Sequence, residues 1–252
     1  MKRLFVINRL TATIISLLAS IHLYSQSSSP TMQTMNLGAG TNMKTTFNLG
    51  DAMRTSADFK TENNPHIKGS AFYDPAFSPS QITLKSGAVY TGIATKINLF
   101  TNDIYYLSSD STQLVAGKGA IKKVILYQNK HSKPDSVIFS CGYTSVNHND
   151  ENTIYEVLVS GEASLVKLTM KFLTDDQTLT ATPEDKKFVE NTDYYVAICK
   201  KNIIEKWKKG KDFITGILND KGSAIQKFID DQNLKCKSLE DTERVIEYYN
   251  QL

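Results

Sequence analysis

From Ser80 to Cys199 the chain is a succession of short β-branched and aromatic runs split by turn residues, and this pattern dictates the fold class. Ile82 and Leu84 alternate with Gln81, Thr83 and Lys85 before Ser86-Gly87 turns the chain. Residues 89–100 read as a longer strand interrupted at Gly92, followed by strands at 104–107, 114–116 and 121–127. Asn102-Asp103, residues 108–111 and the Gly117–Gly119 stretch are the turns between them. Strands this close together leave no room for crossover helices, so the expected arrangement is an antiparallel meander.

Further along, 130–135 reads as a loop, 136–141 as a strand and 146–152 (VNHNDEN) as a strongly polar loop. The alternation then predicts Tyr155, Val157 and Val159 on one face, opposite Glu156 and Leu158. After the Ser160-Gly161-Glu162 turn, Val166, Leu168, Met170 and Phe172 oppose Lys167, Thr169 and Lys171. A last strand is expected at 194–199, after which the period changes. Ile203, Ile204, Trp207, Ile214, Ile217 and Leu218 fall at helical spacing, with Gly210 as a point where that helix divides. Ile225, Phe228 and Ile229 mark a second helix. Ser238 caps a third, with Asp241 three residues on and Val245, Ile246 and Tyr249 as its buried stripe. The expected fold is α+β: an antiparallel β sandwich or partly closed barrel over residues 66–199, then C-terminal helices over 200–252 packed on it.

The N-terminal end has a different character. Lys2, Arg3 and Arg9 precede the apolar run 10–23, and Ser25 supplies a small residue for a cut before Gln26. That combination reads as a signal peptide over 1–25, and so as export to the periplasm, the outer membrane or the exterior. The run is shorter than the roughly 20 apolar residues of a membrane span, and no later run is longer, so no transmembrane span is expected after its removal. Residues 26–65, rich in Ser, Thr, Asn, Met and Gly, read as a polar linker or arm that cannot bury enough surface to offset its ordering entropy.

The whole chain carries 29 Lys+Arg against 26 Asp+Glu. Without the three basic residues of the leader the charges balance, and a balanced chain has no field to draw in nucleic acid. Cys141, Cys199 and Cys236 allow at most one internal disulfide, and their spacing leaves open which pair forms or whether all stay reduced.

Few residues point to chemistry. There is no Gly-x-Ser-x-Gly elbow, His-Glu-x-x-His pair or Cys-x-x-Cys, and Gly117-Lys118-Gly119 lacks the spacing of a phosphate loop, so it reads as a hairpin turn. His66, His131 and His148 sit in polar stretches without ligand spacing and read as solvated loop residues. The loop 147–152 offers oxygen ligands for a hard cation but departs from the twelve-residue calcium loop. Lys200, Lys201, Lys206, Lys208, Lys209 and Lys211 surround Trp207; a solvated helix face is favoured over a surface for anionic lipid. Phe72, Tyr73 and Phe77 form an aromatic group that either meets a partner or packs over the β core, the second being favoured. No catalytic, cofactor-binding or metal residue, and no cofactor, is assigned.

Taken in order, Gly69–Tyr73, 82–87 and 97–100 resemble the opening of secreted, β-rich envelope proteins of Bacteroidetes type. Residues 155–161 with Leu165 resemble their central hairpin, and 225–229, Leu234 and the closing Tyr248-Tyr249-Asn250 resemble their ending. The resemblance implies an envelope address and a fold rather than an activity. The preferred reading is a non-catalytic interaction or structural module whose partner is an envelope protein or surface component. The alternative is a secreted hydrolase of glycans or peptides using carboxylates such as Asp74, Asp103, Asp150 and Glu156. A third reading places a small ligand inside the β domain.

Overall fold

The computed structural model describes residues 64–130, 133–178 and 180–252; the expected leader 1–25, nearly all of the polar segment 26–65 and His131 lie outside the described residues. The strands are β1 (Ile67–Lys68), β2 (Ser78–Leu84), β3 (Val89–Asn98), β4 (Asp103–Leu107), β5 (Gln113–Val115), β6 (Ile121–Lys130), β7 (Lys133–Ser140), β8 (Tyr155–Val159), β9 (Ala163–Asp175), β10 (Lys186–Ile198) and β11 (Ile203–Lys206). Helices α1 (Lys211–Ile217), α2 (Gly222–Asp231) and α3 (Leu239–Tyr249) follow. All 11 strands join one open sheet in the order β1-β10-β9-β8-β7-β6-β2-β3-β4-β5, with β11 also on β10. Every pairing is antiparallel except that of β1 with β10.

Strands β2, β3, β4 and β6 contribute to one apolar core. Its members include Ile82, Leu84, Ile93, Ile97, Ile104, Tyr106, Val124 and Leu126. A bulge sets which residues of β3 reach it. Ser80 faces Ile93 while Gln81 faces Thr91, leaving Gly92 as the extra residue of β3. Its φ of +76° suits a residue without a Cβ. The extra residue shifts the alternation by one, so Tyr90 and Ile93 both reach the same core.

The inner half of the β9–β10 hairpin, with β8 and the start of β11, is covered on both faces. Leu165, Val196 and Ile198 point to the helices and meet Ile214, Leu218, Ile225, Ile229, Val245, Ile246 and Tyr249. Val166, Leu168, Tyr195 and Ala197 point the other way, against Tyr143 and Tyr155. Each fully covered Leu or Ile on these faces contributes about 1.5–3 kcal/mol relative to exposure. The chain's end is pinned to the β8–β9 turn: Asn250 Oδ1 accepts from Ala163 N at 2.9 Å, and its Nδ2 donates to Ala163 O at 2.9 Å.

Three expectations need correction. Tyr155 and Val157 share a face as the alternation predicts, but Val159 does not. A register shift between Val157 and Val159 turns it to the helix side, where it packs in the other core. Residues 203–206 are not helical; they form β11 against β10. Their neighbouring isoleucines serve opposite faces, Ile203 toward the helices and Ile204 toward the tyrosines. A strand between two apolar layers does this, and helical periodicity cannot distinguish it from a stripe. The loop expected at 130–135 is shorter, because the β6–β7 ladder runs out to Lys130 opposite Lys133.

Candidate functional site

The residues that sequence reasoning placed near chemistry are scattered. Asp74 Oδ1 accepts from Ala76 N at 2.9 Å and holds its own turn. Asp103 starts β4 opposite Asn98 and is buried. Glu156 pairs with Lys167 across β8 and β9 at 3.0 Å. Asp150 accepts from Asn152 N at 2.9 Å and from Thr153 Oγ1 at 3.3 Å. These bonds, the Asn152 amide first, hold its carboxyl below the usual range. It serves its own loop rather than offering an open ligand set. Among the described residues no group of three or more His, Cys, Asp or Glu is gathered for a metal ion.

Two motifs far apart in sequence do meet. Gly119, at φ +80°, lies against the polar loop, so that a Cβ there would sit 2.9 Å from Asn152 Oδ1. Asn102, Asp103, Gly117, Gly119, Cys141 and Asn152 line a shallow recess of about 20 Å³, room for a water molecule. Cys141 Sγ donates to Ile121 O at 2.7 Å, and burial pushes its thiol up, away from nucleophilic thiolate. All three cysteines are free. A second recess of similar size is lined wholly by apolar residues, among them Leu84, Tyr90, Tyr106 and Ile121.

The basic cluster is largely neutralised. Lys200 pairs with Glu162 (3.4 Å), Lys201 with Asp220 (2.9 Å), Lys206 with Asp193 (2.7 Å) and Lys211 with Asp230 (3.0 Å). Trp207 packs against the helix core and donates Nε1–H to Thr242 Oγ1 at 2.9 Å. The aromatic group is likewise structural: Phe72 is buried edge-on to Tyr105 at 5.5 Å, and Tyr73 meets Phe139 at 5.2 Å. Lys96 Nζ lies 3.9 Å from the centre of the Phe72 ring, sealing that layer. His66 accepts a role in a charged corner, with Nδ1 3.0 Å from Asp185 Oδ1. His148 is exposed.

What the structure gathers instead is apolar surface at the outer half of the β9–β10 hairpin. Phe172 and Val189 sit directly opposite one another and are 48% and 38% exposed. On the other side Phe100, 40% exposed, packs edge-on to Phe188 at 5.6 Å. The backbone holds Phe100 there, since Lys171 N donates to Leu99 O at 3.0 Å. Lys171 Nζ meanwhile donates to the carbonyls of Ser70 (2.9 Å) and Phe72 (2.6 Å), clamping the segment after β1. The signal for Phe172 was legible as part of an alternating stripe. That the stripe outruns its cover was not, because β8 pairs with β9 only up to Lys167.

No protein-family profile matches the chain, and no curated protein or solved structure gives a significant match. Among the described residues no helix is long and apolar enough to cross a membrane.

Proposed function

We propose that this chain is an exported, non-catalytic interaction module of the cell envelope. The observation that carries the reading is the exposed cross-strand pair Phe172 and Val189 on one face of the β9–β10 hairpin. Large apolar side chains scattered singly need no explanation, whereas two set directly opposite one another on a braced hairpin offer an anchor for docking. The charged start and apolar run of residues 1–25 support export, and the order of motifs from Gly69 to Asn250 supports kinship with Bacteroidetes-type envelope proteins. We read the core shared by β2, β3, β4 and β6, and the Lys171–Leu99 bond that draws β9 toward the end of β3, as a partly closed barrel.

The test is co-sedimentation of the purified protein with envelope fractions, comparing it with the double variant Phe172→Ser, Val189→Ser. The variant is expected to lose binding while keeping its melting temperature. Equal binding by both proteins removes this surface, and the reading with it.

A further inference from the structure

The long strand β10 is paired along its whole length with β9, but its outer edge is covered only at the two ends. β1 lies along Lys186 and Lys187, and β11 lies along Tyr195 to Ile198. Lys186 N donates to His66 O at one end, and Trp207 N donates to Tyr194 O at the other. Alternate residues of a strand turn their backbone groups to the same side, so the even-numbered residues of β10 face outward. Between the two covers, the N–H and C=O groups of Glu190 and Thr192 have no strand beside them among the described residues. Val189, Glu190 and Asn191 are exposed there.

We propose that this edge takes a short extended peptide segment as an added strand, the segment carrying apolar residues on one face and basic or hydroxyl residues on the other. This rests on the interaction-module reading and names the chemistry of its partner. The gap from Phe188 to Tyr194 is six steps, roughly 20 Å at about 3.3 Å per residue. A whole strand such as β10 of a second copy would run into β1 and β11, so the gap selects a brief extended stretch. Backbone bonds would come from Glu190 and Thr192, the usual source of affinity when a peptide extends a sheet. Side chains would set the choice. Positions beside Val189 lie on the face that also presents Phe172, and favour apolar groups. The position beside Glu190 favours a cation: its carboxylate acts on its cross-strand neighbour Lys171 only at a distance, because Lys171 turns Nζ to backbone carbonyls, and no close ion pair forms among the described residues.

The probe is the capped hexapeptide acetyl-Val-Lys-Val-Thr-Val-Lys-amide, titrated into the purified protein and followed by residue-resolved amide exchange. At saturation the amides of Glu190 and Thr192 are expected to slow at least tenfold. Glu190→Gln should weaken binding about tenfold. Thr192→Pro should abolish it, because only an outward N–H is removed and the ladder with β9 is kept. Should Thr192→Pro fail to fold, the exchange pattern and Glu190→Gln decide alone. Absence of protection at Glu190 and Thr192, or affinity unchanged in Glu190→Gln and Thr192→Pro, overturns the proposal. So does a dimer in sedimentation equilibrium that Thr192→Pro dissociates, since the edge would then belong to a second copy. Loss of peptide binding with envelope binding intact removes only the added strand; the reverse result removes the envelope module and leaves a peptide-binding edge.

Discussion

At the scale of single residues the structure contains contacts that admit few substitutions. A Cβ on Gly161 would lie 2.2 Å from Asn250 Nδ2, a group already committed to Ala163. Gly161→Ala must therefore expel the Asn250 side chain, and Asn250→Ala deletes the same clamp. Each is expected to destabilise by about 1–3 kcal/mol in urea titrations, and the double variant by no more than the larger single one. Additive losses would show that the two residues act separately. Asp185 gives a second test. The Thr182 amide first, then His66, hold its carboxyl down at about 2. A depressed carboxyl contributes stability that is fully present above its unfolded value near 3.8 and is lost as pH falls through about 2. Asp185→Asn should lower the melting temperature at pH 6 and flatten its decline between pH 4 and 2. A decline of unchanged slope would assign the acid sensitivity to other carboxylates.

At the scale of elements, caps and bulges decide where each segment points. Ser238 Oγ accepts from Asp241 N at 3.2 Å, and Asp241 Oδ2 accepts from Lys235 N and Cys236 N at 3.1 and 2.8 Å. Ser238→Ala is expected to cost about 1 kcal/mol, read as a lower urea midpoint at unchanged m-value. The capping pair was legible because its spacing is local. The bulge at Gly92 was legible only as an interruption, and its effect on the faces of Tyr90 and Ile93 appears once β2 is alongside. Gly92→Val places a β-branched residue at φ +76°, and is expected to lose stability by about 1–2 kcal/mol or to shift the strand register. The second outcome would show as altered exchange protection along β3.

At the scale of the whole molecule, the helices share one core with the β8–β10 part of the sheet. Val159, Leu165, Val196 and Ile198 of the sheet are covered by residues of all three helices. The chain has 1 tryptophan, and Trp207 stands where β11 gives way to α1. Its fluorescence and the far-ultraviolet circular dichroism of the strands should therefore melt together, as a shared core requires. Separated transitions would mean that the helices dock weakly on a sheet stable without them. The β-rich class, the antiparallel pairing, the last two helices and the Ser238 cap were legible in the order of residues, because each follows from periodicity or spacing within a dozen residues; that the expected meander breaks, with β6 beside β2 instead of β5, was not. That 203–206 is a strand emerges only with the chain folded, since neighbouring isoleucines satisfy a helix stripe and a doubly buried strand equally until both apolar layers are present. The folded chain also shows that Val159 leaves the face of Tyr155, that Gly119 meets Asn152, and that β10 carries an open edge beside Phe172 and Val189. These depend on which distant segments lie alongside, a matter of long-range burial and strand pairing that no local pattern encodes.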